Sequence, residues 1–256
     1  MNWKNLGWGI AATLVCTHAG AVDFSSRPNA AEMTNMPPYC QAKFTLKQGS
    51  PEWNAWRDRI GSNFVDLHHY CAGLNFANRY WSARTPQDRG FYLQNAMSNF
   101  NYMVNAEKPD FALGAELYSD RGEVFKLMGK RGEAARDFNQ ALSINPRIVK
   151  PYLQLADLYV ADKSAKHALE TVTEGLRHIP DSTALQRRYL ELGGRKPFPD
   201  PIAAKVGEPL PAQPEAPASN PEAAAVESKQ ESAAQTESPP AIGTTSNPYC
   251  RFCPPE

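Results

Sequence analysis

A thirty-four-residue spacing recurs between positions 115 and 182, and it restricts the fold more than any other feature of the chain. Small, apolar and proline positions of one unit are matched in register by the next unit. The matched positions are Gly122, Phe125, Ala134, Phe138, Ala141 and Pro146 in the first unit and Ala156, Tyr159, Ala168, Val172, Gly175 and Pro180 in the second. A period of this length is typical of a pair of helices that stacks on a similar neighbouring pair.

Each position of the period has a packing role. Gly122 or Ala156 allows two helices to approach closely, and the aromatic residue three positions later lies on the same helical face. Ala134 and Ala168 allow the same close contact on the second helix of each pair. A proline then ends each unit because it cannot continue the helical hydrogen-bond ladder. The spacing therefore predicts two consecutive helical pairs.

This order of small, aromatic and proline positions resembles the signature of the tetratricopeptide-repeat (TPR) family. The resemblance implies an all-α fold, a short right-handed solenoid of helical pairs. It also implies a non-catalytic scaffold or adaptor, because TPR arrays generally hold a partner's peptide or helix in a concave groove lined by the first helices. The groove candidates implied by that packing are Glu116, Ser119, Asp120, Glu123, Lys126, Lys150, Gln154 and Asp157.

The ligand of such a groove is restricted by its charges. Some TPR proteins hold a C-terminal carboxylate with a clamp of lysine and asparagine side chains. In this chain acidic residues stand where that clamp needs donors, so the groove suits a basic or apolar peptide. Nucleic acid is not an expected partner, since residues 22–196 carry 23 basic and 19 acidic residues, a net charge of only +4.

The pattern divides the chain into four parts. Residues 1–21 have the features of an export signal, with Lys4, an apolar run too short to span a bilayer, and a small-x-small site before Val22. We therefore expect a mature chain that lacks a transmembrane segment and lies in a bacterial periplasm. The remaining parts are an irregular, proline-broken arm over 22–50, a helical domain over 51–194, and a disordered tail over 195–256.

Within the helical domain the period predicts three segments of different regularity. Regular repeats cover 115–148 and 149–182, and a solvating helix at 183–192 covers the last stacked face. An irregular repeat precedes them, with Gly73 and Ala96 at the small positions but eleven more residues between the two than in a regular unit. The sequence predicts that these residues lengthen its first helix, over 63–82.

Four cysteines remain once the signal is removed, and an even number in an exported protein favours disulfides, with three possible connectivities. The favoured pair is Cys40–Cys71, which would join the arm to the first long helix. Cys250 and Cys253 form a Cys-x-x-Cys pair flanked by prolines, which oppose the helix start that lowers a redox thiol's pKa. A local or interchain disulfide is the expected role of this second pair.

An alternative function remains open, that of a redox, metal-associated or haem-associated periplasmic protein. It would use Cys250 and Cys253, or His68 with Cys71, which are one helical turn apart. The chain has no Cys-x-x-Cys-His attachment motif, glycine-rich phosphate loop, Gly-x-Ser-x-Gly or His-Glu-x-x-His. We therefore expect no catalytic activity and no cofactor, and a protein or peptide of the cell envelope as the partner.

Overall fold

A computed structural model describes residues 25–202, which form ten α-helices and no strand. The helices are α1 (Ala30–Met33), α2 (Pro38–Thr45), α3 (Pro51–Ile60), α4 (Leu67–Ser82), α5 (Pro86–Ala106), α6 (Gly114–Leu127), α7 (Arg131–Ile144), α8 (Val149–Ala161), α9 (Ala165–His178) and α10 (Thr183–Glu191). A short 3-10 helix, Ser62–Val65, precedes α4. The expected all-α class is confirmed. None of the helices in this part of the chain has the length and hydrophobicity that a membrane span requires.

The helices pack in consecutive pairs, α4 with α5, α6 with α7 and α8 with α9. Each pair contacts the next through α5 against α6 and α7 against α8. The first helices also contact one another, α4 with α6 and α6 with α8, and α10 packs against α8 and α9. The first helices α4, α6 and α8, with α10, therefore form a continuous row, which we call the first-helix face. The right-handed path of a solenoid stays a prediction.

The small positions of the repeat lie at the closest helix contacts. A Cβ atom added to Gly122 would lie 2.7 Å from the ring of Phe138, on the partner helix of the pair. A Cβ atom added to Gly73 would lie 2.5 Å from the ring of Phe100. The irregular pair thus uses the same glycine-to-phenylalanine contact between its two helices. Ala134 and Ala168, the small positions of the second helices, are completely buried.

Ala168→Leu is expected to lower the free energy of unfolding by about 1–3 kcal/mol, because a larger side chain overpacks a contact without free volume. Lys166→Leu is the matched control, since it introduces the same side chain two residues away at a position whose side chain is 84% exposed. Urea denaturation of both variants measures the difference. Equal losses of stability in the two variants would show that the repeat register is wrong.

The extra residues of the irregular pair lie at the joined ends of both helices, which corrects the predicted lengthening of the first helix alone. The end of α4 at Ser82 lies nine positions after Gly73, whereas the end of α6 lies five positions after Gly122. Phe100 lies fourteen positions after the start of α5, whereas Phe138 lies seven positions after the start of α7. Four of the eleven residues therefore extend α4, and seven extend α5. Residues 62–65 form the separate 3-10 helix instead of the start of α4.

Residues 25–50 are more regular than the predicted arm, because they contain α1 and α2. Asn29 and Glu32 form a capping box at the start of α1. Pro38 is the first residue of α2, where proline favours a helix because the first helical N–H has no intrahelical partner. The prolines were expected to break the chain, whereas here one of them begins a helix.

The packed part of the chain extends to Ile202, beyond the predicted start of the tail at 195. The ring of Phe198 packs against the apolar cluster of α8, α9 and α10, with its centroid 5.9 Å from that of Tyr189. The backbone N–H of Ile202 donates a hydrogen bond of 2.8 Å to the carbonyl oxygen of Arg177 in α9. Residues 195–202 thus return over the last helices. The predicted signal at 1–21 and the tail beyond 202 lie outside the described residues.

Phe198→Ala is expected to lower the free energy of unfolding by about 1–2 kcal/mol, less than for a fully buried ring because the side chain is half-buried. Asp200→Ala, at an exposed position of the same segment, provides the control. Thermal unfolding followed by circular dichroism compares the two variants with the parent. No difference between them would mean that the 195–202 segment contributes nothing to the last helical pair.

Candidate functional site

The eight predicted groove residues lie on the first-helix face, five on α6 and three on α8. Polar contacts join the two helices across this surface. The Nζ atom of Lys150 lies 2.9 Å from Oδ1 of Asp120 and 2.5 Å from Oε2 of Glu123. One turn further along, the Nζ atom of Lys126 donates to Gln154 and lies 3.5 Å from Oδ2 of Asp157. Six of the eight predicted residues thus make polar contacts between α6 and α8.

Lys150 is the central cation of this surface. Its positive charge lowers the pKa of Glu123, and this attraction outweighs the opposing effect of burial on the carboxylate. Burial also opposes the charge of Lys150, but the carboxylates of Asp120 and Glu123 outweigh that effect and hold the pKa of Lys150 above its ordinary value. Glu123 and Lys150 are therefore both ionised at neutral pH, and together with Asp120 they connect α6 to α8.

Two residues that the sequence reasoning missed extend the contacts to both ends of the face. The hydroxyl of Tyr70 in α4 donates a hydrogen bond of 2.6 Å to Oδ2 of Asp120. The Nη2 atom of Arg188 in α10 donates one of 2.8 Å to Oδ1 of Asp157. The thirty-four-residue period could have indicated Arg188, because this residue lies thirty-four positions after Gln154 and sixty-eight after Asp120.

Two sets of polar contacts lie on the first-helix face, and together we call them the polar ladder. The first set contains Tyr70, Asp120, Glu123 and Lys150, and the second contains Lys126, Gln154, Asp157 and Arg188. Arg188 of the second set also pairs with Glu191 of its own helix at 3.0 Å. The polar ladder therefore reaches α4, α6, α8 and α10. Partly exposed ion pairs of this kind add little to stability.

Glu116 and Ser119 are the two predicted groove residues outside the ladder. Among residues 25–202, Glu116 has no basic group within ion-pair distance. Burial raises its pKa to about 7, and the negative charge of Asp120 acts in the same direction. Ser119 is only 3% exposed, and its Oγ atom makes no hydrogen bond to the described part of the chain. Both side chains lie on the same face of α6, one turn apart.

The cysteine and histidine candidates make contacts of their own in α4. The sulfur atoms of Cys40 and Cys71 lie 1.97 Å apart, so the predicted disulfide joins α2 to α4. Cys71 is consequently not available as a ligand beside His68. The neighbouring ring of His69 stacks on Tyr102 at 3.8 Å. No cluster of three potential metal-ligating side chains occurs within residues 25–202.

Cys250 and Cys253 lie outside the described residues, so their predicted pairing stays a prediction.

Comparison of the chain with models of protein families gives no match, and comparison with curated proteins finds no significant similarity. The site is therefore defined by its own geometry.

Proposed function

We propose that the protein is a non-catalytic, TPR-like scaffold that binds a peptide segment of another envelope protein on its first-helix face. The observation that carries this proposal is the set of polar contacts that six of the eight predicted groove residues make between α6 and α8, which Tyr70 and Arg188 extend to α4 and α10. The first helices pack against one another, so they form an extended surface before a peptide binds. Little conformational entropy of the protein is then lost on binding. The thirty-four-residue period and the contacts between first helices support a solenoid of this type.

Location in the periplasm is part of the same proposal. The export signal predicted for residues 1–21 supports it, and so does the Cys40–Cys71 disulfide, because such bonds form and persist in oxidising compartments. The disulfide also argues against the alternative function that relied on Cys71 as a ligand. The partner is then expected among proteins of the cell envelope.

Site-specific photo-crosslinking tests the proposal. A photoreactive amino acid at Gln154, on the first-helix face, is expected to form a discrete adduct with an envelope protein after irradiation of intact cells. The same amino acid at Asn139, exposed on the second helix α7, serves as the control and is expected to form none. Adducts that form equally at both positions, or at Asn139 alone, would contradict binding on the first-helix face.

A further inference from the structure

The loops within the three helical pairs lie along one edge of the protein. Loops of three residues join α4 to α5, α6 to α7 and α8 to α9, so the two helices of each pair run antiparallel. The ion pairs of the polar ladder follow the same order along α6 and α8, so these first helices run parallel. The Nη2 atom of Arg131, at the start of α7, donates a hydrogen bond of 2.6 Å to Oδ1 of Asp162 in the α8–α9 loop. Neighbouring loops are therefore in contact. We call these three loops, the first turns of α5, α7 and α9, and residues 192–196 after α10 the turn edge.

Basic side chains outnumber acidic ones at the turn edge. It contains eight arginines and lysines and three acids, whereas the loops that lead into α4, α6, α8 and α10, with the first turns of those helices, contain three bases and five acids. The eight bases of the turn edge are all exposed, and they are Arg84, Arg89, Lys130, Arg131, Lys163, Lys166, Arg195 and Lys196. A chain with no net charge thus has an excess of positive charge along one edge.

The extra residues of the irregular pair carry the α4–α5 loop beyond the neighbouring loops. Four of them extend α4, which corresponds to about 6 Å at the rise of an α-helix. The projecting part includes Trp81, which is 54% exposed, and Tyr80, whose ring centroid lies 5.0 Å from that of Trp81. The guanidinium carbon of Arg89 lies 5.9 Å from the centroid of the Tyr80 ring. A basic and aromatic tip therefore projects from the turn edge.

The surface of an anionic phospholipid bilayer matches this arrangement. Each lysine or arginine near such a surface is attracted by the lipid charges, and tryptophan and tyrosine rings favour the level of the headgroups. No side chain of the described residues caps the first turn of α7 or α9, so N–H groups at the turn edge are available to phosphate oxygens. An acidic peptide would pair with the bases but offers no apolar layer to the projecting Trp81.

We propose that the turn edge binds the surface of a bilayer that contains anionic phospholipids, with Trp81 inserted among the headgroups. This inference goes beyond the scaffold function. The turn edge contains none of the residues of the polar ladder, so either proposal can fail without the other. The first-helix face stays open to a peptide while the turn edge is on the membrane.

Vesicle sedimentation tests this inference. The protein is used without its predicted export signal, because the apolar run of that signal would bind lipid by itself. It is expected to sediment with vesicles of equal parts phosphatidylglycerol and phosphatidylcholine, to stay in solution with phosphatidylcholine alone, and to dissociate at high salt. Brominated lipid is expected to quench the fluorescence of Trp81. The quenching can be assigned to this residue because Trp53 and Trp56, the other tryptophans after the signal, are buried.

Reversal of two charges at the turn edge, Arg84→Glu together with Lys130→Glu, is expected to weaken binding to the anionic vesicles by about tenfold or more. Lys108→Glu together with Arg147→Glu is the matched control. Both of these bases are exposed in loops of the opposite edge, and the net charge changes by the same amount. Trp81→Ala is expected to weaken binding and to abolish the quenching.

The inference is overturned if the protein does not bind anionic vesicles at low salt, or if it binds phosphatidylcholine vesicles equally well. An equal loss of binding in the two double variants would also overturn it, because net charge alone would then explain the binding. Binding without quenching of Trp81 would contradict insertion of the tip. An acidic peptide that binds the turn edge when the vesicles do not would assign this edge to a protein partner instead.

Discussion

Replacement of both Cys40 and Cys71 by alanine is expected to lower the free energy of unfolding by about 3–4 kcal/mol. The bond closes a loop with a sequence separation of 31 and joins two buried positions, one in α2 and one in α4. Its loss increases the conformational freedom of the unfolded chain and removes a covalent attachment of the N-terminal helices. The principal polar attachment that then remains is the ion pair of Glu32 with Arg79, at 2.7 Å.

Guanidinium denaturation with and without a thiol reductant measures this effect. The reductant is expected to destabilise the parent protein by a similar amount, without release of a metal, and to leave the double variant unchanged. Mass spectrometry of an unreduced digest should find the Cys40 and Cys71 peptides linked. Free thiols at both positions, or a double variant within about 1 kcal/mol of the parent, would be incompatible with a stabilising role for the bond.

Glu116→Gln is expected to stabilise the protein at pH 8 by about 1–3 kcal/mol and to have little effect at pH 4. Burial raises the pKa of Glu116 to about 7, against 4.5 for an unperturbed carboxyl group. The native state therefore holds this proton more tightly than the unfolded state, and stability is lost as the pH rises through the range between the two values. Below pH 4.5 both states are protonated, so a neutral glutamine resembles the parent side chain. A pKa difference of one between the folded and unfolded states corresponds to about 1.4 kcal/mol, and the partial exposure of the side chain reduces the total.

Urea denaturation at several pH values between 4 and 8 measures the difference between variant and parent. Using the difference removes the opposite contributions of carboxyl groups whose pKa is lowered, such as Glu32 and Asp110. Glu133→Gln is the control, because Glu133 is the third residue of α7 as Glu116 is the third residue of α6. A Glu116→Gln effect that is constant across the range would mean that the carboxyl group is well solvated.

The regular part of the fold was predictable because its signals are local and periodic. The spacing of Gly122, Ala134 and Ala168 reports on helix contacts that recur with each pair, and these residues are buried as the repeat requires. The disulfide was predictable from the number of cysteines and the expected compartment. The class of the fold and the helical pairs between 115 and 182 follow from these signals.

The irregular parts were harder to predict because single long-range contacts position them. The packing of Phe198 against the last helices is not part of a repeating sequence pattern. The start of α1 did have a readable signal, the capping box of Asn29 and Glu32, but the surrounding prolines favoured an irregular interpretation. The prolines at 37 and 38 were likewise interpreted as breaking the chain, so α2 was not predicted.

The pairings within the candidate site could not be predicted from the sequence. The family resemblance selected positions on the first helices, and six of the eight make polar contacts between α6 and α8. Which acid meets which base depends on the offset between neighbouring helices, and that offset is set by packing. Glu116 and Asp120 lie one turn apart on α6, and the pairing of Asp120 with Lys150 is likewise set by tertiary packing.

A nuclear magnetic resonance titration with a lysine-rich peptide tests the central claim most directly. The peptide is added to the isotopically labelled protein at pH 8, and amide and side-chain shifts are mapped onto the helices. The shifts are expected to concentrate on α4, α6 and α8, and an acidic peptide of equal length should produce none there. Shifts concentrated on the second helices α5, α7 and α9, or equal shifts with the acidic peptide, would contradict a binding function of the first-helix face.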